Sequence, residues 1–118
     1  MQLNELKTII VNALDELKAL NLTVLDVQGV ASFTDLMVIA SGNSSRHVKA
    51  LADKVIEKCK ASGMHPLGVE GERDGQWVLI DLGDAVVHVM NPETRAFYNL
   101  EKLWSADKMA IDRPAAAR

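Results

Sequence analysis

The run Gln76-Trp-Val-Leu-Ile-Asp-Leu-Gly-Asp-Ala-Val-Val-His-Val-Met90 constrains this chain more than any other stretch. Two apolar runs of strand length flank Gly83-Asp84, a two-residue connection in which glycine supplies the positive φ of a hairpin turn. Such a turn sets the register. Leu82 faces Ala85, Asp81 faces Val86, Ile80 faces Val87, Leu79 faces His88, Val78 faces Val89 and Trp77 faces Met90. Side chains alternate along a strand, so the pairs sort into two faces. Val78, Ile80, Leu82, Ala85, Val87 and Val89 are aliphatic and belong to a core. Trp77, Leu79, Asp81, Val86, His88 and Met90 form the second face, which mixes large apolar groups with an acid and an imidazole. Either a partner covers that face, or another element of the chain does and His88 is a hydrogen-bonded core histidine.

The remaining segments surround this hairpin with alternating helical and strand patterns. Residues 3–20 repeat Leu3, Leu6, Ile10, Ala13, Leu14 and Leu17 at helical spacing. Leu22–Gln28 reads as a strand closed by Gly29, and Leu36–Ala40 as its antiparallel neighbour after the Ser32–Asp35 loop. Asn43-Ser44-Ser45 offers caps to a helix carrying Val48, Leu51, Ala52, Val55, Ile56 and Cys59, with Gly63 just beyond its end. Pro66–Glu70 reads as a strand parallel to the second, reached by a crossover through that helix. After the hairpin, Asn91 caps a helix with Pro92 in its first turn, and Phe97, Leu100 and Trp104 fall on one stripe. The order α-β-β-α-β-β-β-α implies an α/β domain: a five-stranded mixed sheet with three helices, packed mainly on one face. One domain over residues 1–104 is expected, followed by a disordered tail over 105–118.

Charge and composition narrow the function. A net charge of −3 is unsuited to phosphate neutralisation and suits a partner with a basic surface. The single cysteine, Cys59, leaves no internal disulfide or multi-cysteine metal site. The first residues show no signal or transit pattern, and no apolar run approaches membrane-spanning length, so a cytoplasmic protein without membrane association is expected.

Candidate chemistry is sparse. Ser41-Gly-Asn-Ser-Ser-Arg-His47 sits at a strand-to-helix junction, where amides and Arg46 could hold a phosphate. A nucleotidyl transferase also needs converging carboxylates for divalent cations, and the next strand offers only Glu70. Asp81 and His88 are diagonal neighbours on one face, but no Ser or Cys nucleophile shares it. His47, His65 and His88 lack metal-ligand spacing. Neither catalytic residue, metal nor cofactor is expected.

The segments Leu25–Gly29, Phe33–Asp35, Ser41–Val48, Pro66–Glu72, Trp77–Asp84, Val87–Met90 and Phe97–Trp104, in that order, resemble the ribosomal silencing factor family, also called Iojap-like or RsfS. The resemblance spans about residues 1–105. It implies a nucleotidyltransferase-like α/β topology without the catalytic acids. It also implies binding to the large ribosomal subunit through ribosomal protein uL-fourteen, a steric block to subunit joining, and repression of translation when nutrients are scarce. Related organellar proteins act in large-subunit biogenesis, which is the alternative. A nucleotide-acting enzyme and a homodimer formed through the open face are more distant ones. Our own choice of contact residues follows the preference of interfaces for aromatic anchors. Trp77, Leu79, His88 and Met90 come from the sheet, and Tyr98, Leu100 and Trp104 from the last helix. Asp81, Glu101 and the loop acids Glu70, Glu72 and Asp74 would face a basic partner.

Overall fold

The computed structural model describes residues 2–102. Three helices and five strands follow the order read from the sequence: α1 (Leu3–Glu16), β1 (Leu20–Asp26), β2 (Leu36–Ser41), α2 (Ser45–Ala61), β3 (Gly68–Glu70), β4 (Trp77–Asp81), β5 (Ala85–Met90) and α3 (Pro92–Tyr98). The strands form one mixed sheet in the spatial order β1-β2-β5-β4-β3. Strand β2 pairs antiparallel with β1 and parallel with β5, and β4 pairs antiparallel with both β5 and β3. Thus β3 does run in the direction of β2, but the β4–β5 hairpin lies between them.

The hairpin has the register set by its turn. Trp77 pairs with Met90, Val78 with Val89, Leu79 with His88, Ile80 with Val87 and Asp81 with Val86. Gly83 takes φ +84° at the turn, and the Asp81 carboxylate accepts its amide hydrogen at 2.9 Å. The aliphatic face of the hairpin joins Leu36, Val38 and Ala40 of β2 beneath α1 and α2. From α1 come Leu6, Ile10, Ala13 and Leu14, and from α2 come Val48, Leu51, Ala52, Val55 and Cys59. Period 3.6 on two helices thus meets period 2 on three strands.

Local chemistry ends the elements. Helix α1 stops before residue 20 because Lys18 turns back with φ +60°. At the start of α2, the Ser44 hydroxyl accepts the His47 amide at 3.1 Å. Helix α3 starts where Asn91 accepts the Thr94 amide at 2.8 Å, and it stops at Asn99, whose φ of +50° is left-handed. Asparagine tolerates that conformation better than most residues, so the helix is interrupted before residue 104. Phe97 consequently leaves the core stripe expected for it and stands 78% exposed.

The other sheet face is covered unequally. Strands β2 and β5 are buried at every position, while β4 alternates between buried and half-buried residues. Over the central strands lies a smaller core of Val27, Met37, Ile39 and Met90, with Leu25, Val30, Ala31, Trp77 and Leu100 packed around it. Val27, Val30 and Ala31 belong to the β1–β2 connection, which folds over its own sheet. The open part of the face is therefore the β4 side.

Candidate partner-binding surface

Trp77 opens β4 and sets the surface. Its register places it diagonally from His88 across the hairpin, within side-chain reach. The indole Nε1–H donates to His88 Nδ1 at 2.9 Å, so the imidazole proton resides on Nε2. His88 is 6% exposed, and its burial lowers its pKa to about 4, because an imidazolium there would lose its hydration. The ring is neutral at physiological pH.

Helix α3 supplies the other half. Tyr98 lies with its ring centroid 4.8 Å from Trp77, at an interplanar angle of 49°. Phe97 meets Tyr98 edge-on at 5.0 Å. Tyr98 is 53% exposed and Trp77 is half-buried, so three aromatic rings form one partly exposed run at this edge. Beside it on the same face of β4 are Leu79 and Asp81, both half-buried, and Glu70 of β3 stands opposite Leu79. An apolar stripe with an acidic flank results.

Several candidate residues have other work. Met90 is 0% exposed in the smaller core and supports the surface from behind, as does His88. Both lie on the expected face, but the β1–β2 connection and α3 cover the middle of it. Leu100 is half-buried against the same core. Glu101 is engaged by Arg95, whose Nε donates to its carboxylate at 3.0 Å and whose Nη2 donates to the other oxygen. It is spent on an internal cation and does not stand free for a basic partner. Trp104 lies outside the described residues. Trp77, Leu79, Asp81 and Tyr98 remain at the surface.

The sequence pattern put Phe97 on a core stripe and did not single out Arg95. The signal for Phe97 was Asn99, a C-terminal stop two residues later that breaks the stripe. For Arg95 the signal was weak: only the hydroxyls of Thr23 and Ser41 on the strands hinted at a buried donor.

The Ser41–His47 junction is occupied by internal bonds. Ser41 Oγ accepts from Arg95 at 2.9 Å, and His47 Nδ1 accepts the Asn43 amide at 2.9 Å. His47 Nε2 then donates to the Leu17 carbonyl at 2.8 Å, tying α2 to the end of α1. A Cβ on Gly42 would lie 2.8 Å from the Val48 nitrogen, so the glycine permits close packing of strand end on helix. Among the described residues, no three His, Cys, Asp or Glu side chains converge as a metal site, and no helix is long and apolar enough to cross a membrane.

Fold and surface together define a small α/β protein that presents a partly exposed aromatic face. The chain matches the family of the ribosomal silencing factor during starvation over residues 1–118, and it belongs to that family. The ribosomal silencing factor RsfS of Haemophilus influenzae is 44% identical over 96 residues, which is 81% of this chain and 94% of that one. A crystal structure of a Chromobacterium violaceum protein, 41% identical, superimposes with a TM-score of 0.87 over 89% of this chain and 88% of its own. The mouse mitochondrial assembly of ribosomal large subunit protein 1 is 35% identical over 101 residues, 81% of this chain and 43% of that protein.

Proposed function

We propose that this protein represses translation in the cytoplasm by binding the large ribosomal subunit through uL-fourteen and excluding the small subunit. The action is steric and needs no catalysis. Family membership supports the ribosome as target, and the observation that carries the choice of surface is the Trp77–Tyr98–Phe97 run, left partly exposed beside Asp81 and Glu70. Aromatic rings give an interface large area at small entropic cost, and neighbouring carboxylates draw in a basic protein.

Subunit joining followed by light scattering tests the proposal. The parent protein should prevent joining when added to large subunits first. Tyr98→Ala and Phe97→Ala, whose side chains are mostly exposed, should each weaken the block while leaving the melting temperature nearly unchanged. Trp77→Ala should weaken it most, by ~2 kcal/mol or more, roughly thirtyfold in affinity. If all three variants block joining at the parent concentration, the surface lies elsewhere.

A second reading rests on the mouse relative, whose name is that of an assembly protein for the mitochondrial large subunit. A large-subunit biogenesis role would use the same binding. It predicts accumulation of large-subunit precursors in cells lacking the protein during rapid growth, whereas silencing predicts a defect confined to starvation.

A further inference from the structure

We propose that Arg95 is the positioning residue of this aromatic surface, holding Tyr98 against Trp77 through a four-bond clamp. The inference rests on the docking reading above and adds to it the device that keeps the surface in one shape.

Helix α3 is short, at seven residues, and cannot hold its own position by helical propensity. Its start is tied to the sheet where the Asn91 amide donates to the Gln76 carbonyl at 2.9 Å, next to Trp77. Its end is tied by Arg95. Arg95 is 8% exposed, and its guanidinium reaches the sheet at two strands, donating to Ser41 Oγ of β2 at 2.9 Å and to Thr23 Oγ1 of β1 at 3.1 Å. Its other edge takes the Glu101 carboxylate with two parallel bonds. Glu101 can meet Arg95 only because the left-handed Asn99, whose amide donates to the Arg95 carbonyl at 2.8 Å, reverses the chain between them.

Tyr98 lies between Arg95 and its partner Glu101 in the chain, immediately before the reversal. Neither aromatic contact alone would hold an exposed ring in place, since each is weak and side-chain rotation opposes it. A guanidinium is suited to the task because its planar fork fixes direction as well as distance, which an ammonium does not. A buried cation is a poor source of net stability, so its value here lies in geometry. The bound shape of the surface is present before the partner arrives, and affinity gains because little ordering is left to be done.

The test uses the full chain in a Trp104→Phe background, so that Trp77 is the only tryptophan left of two. Arg95→Lys, Arg95→Met, Glu101→Gln and Tyr98→Ala are compared with this parent, well below their melting temperatures. Acrylamide quenching of Trp77 reports the order of the surface without any partner, and titration with isolated uL-fourteen reports affinity. Arg95→Lys and Arg95→Met should both raise quenching to the level of Tyr98→Ala, and affinity should fall on the order of tenfold. Adding either change to Tyr98→Ala should have little further effect, because both act through one contact. If Arg95→Lys quenches and binds as the parent does, the fork is not needed and the proposal is overturned. It is equally overturned if the Arg95 and Tyr98 effects add in full. Should the Arg95 variants not fold, Glu101→Gln decides by the same quenching comparison. A chain with both tryptophans that fails to bind uL-fourteen sinks the docking reading, while the quenching series still decides whether Arg95 orders the rings.

Discussion

His88 shows how one side chain can be correctly placed on a face and still change role through burial. On the hairpin alone it borders an open surface; in the folded protein it accepts the Trp77 indole from behind. Its folded pKa is about 4 against an ordinary 6.5. The unfolded chain therefore takes up the proton first as pH falls, so the contribution of neutral His88 is complete above pH 6.5 and is lost on the way down to 4. The loss over that window is about 3 kcal/mol. Thermal melts should show this component in the parent and not in His88→Asn, whose side-chain oxygen can still accept the indole hydrogen. Carboxylates titrate in both proteins, so the difference between the two curves is the measurement. Cys59 offers a second check at this scale. Burial raises its thiol pKa, and a thiol-reactive dye should label it only as the protein unfolds.

Among the elements, the β4–β5 hairpin and α3 obey different logic. The hairpin is locally encoded: Gly83 turns the chain, and strict alternation sends Val87 to 0% exposure in the main core. Val87→Asp should unfold the protein, since an uncompensated buried carboxylate costs more than the stability of a domain this size can absorb. The equivalent change on the other face, Leu79→Asp, should leave a cooperative melt, because Leu79 is only half-buried. Circular dichroism melts of the two variants separate the faces, and equal unfolding of both would contradict the assignment. Helix α3 depends instead on its ends. Asn99 holds φ +50°, a conformation that a β-branched residue resists. Asn99→Val should cost about 1–2 kcal/mol and should loosen Tyr98 along with the reversal.

For the whole molecule, the strand order matters most. Placing β5 beside β2 brings α3 out over the far face, where Arg95 reaches Ser41 and Thr23 and Tyr98 meets Trp77. In the docking we propose, the acids on the adjoining edge act at longer range than the rings. Glu70→Lys, at an exposed edge position, should slow association with the large subunit at low salt and have little effect at high salt, where screening removes the attraction. Stopped-flow association rates at two ionic strengths test this. We place the binding unit in residues 1–104, so a chain ending there should block subunit joining at the concentration the full chain requires.

Much of this protein is legible from residue order alone, because the information is local. Gly83-Asp84 and period-two alternation determine the hairpin register and the division of its faces. The Ser44 and Asn91 caps mark two helix starts, and apolar stripes mark which sides of α1 and α2 are buried. The sequence also leaves only a few side chains as candidates for the binding surface. What only the tertiary structure decided depends on segments far apart in the chain. Strand pairing inserts the hairpin between β2 and β3, although local patterns set only their direction. The β1–β2 connection closes over Met37, Ile39 and Met90, turning half of an apparently open face into a second core. Glu101, read as a surface charge, is bound to Arg95, which joins it to residues 54 and 72 positions away from that arginine. No periodicity records such contacts: the desolvation of a buried cation is satisfied by whichever acceptors the finished fold brings within reach.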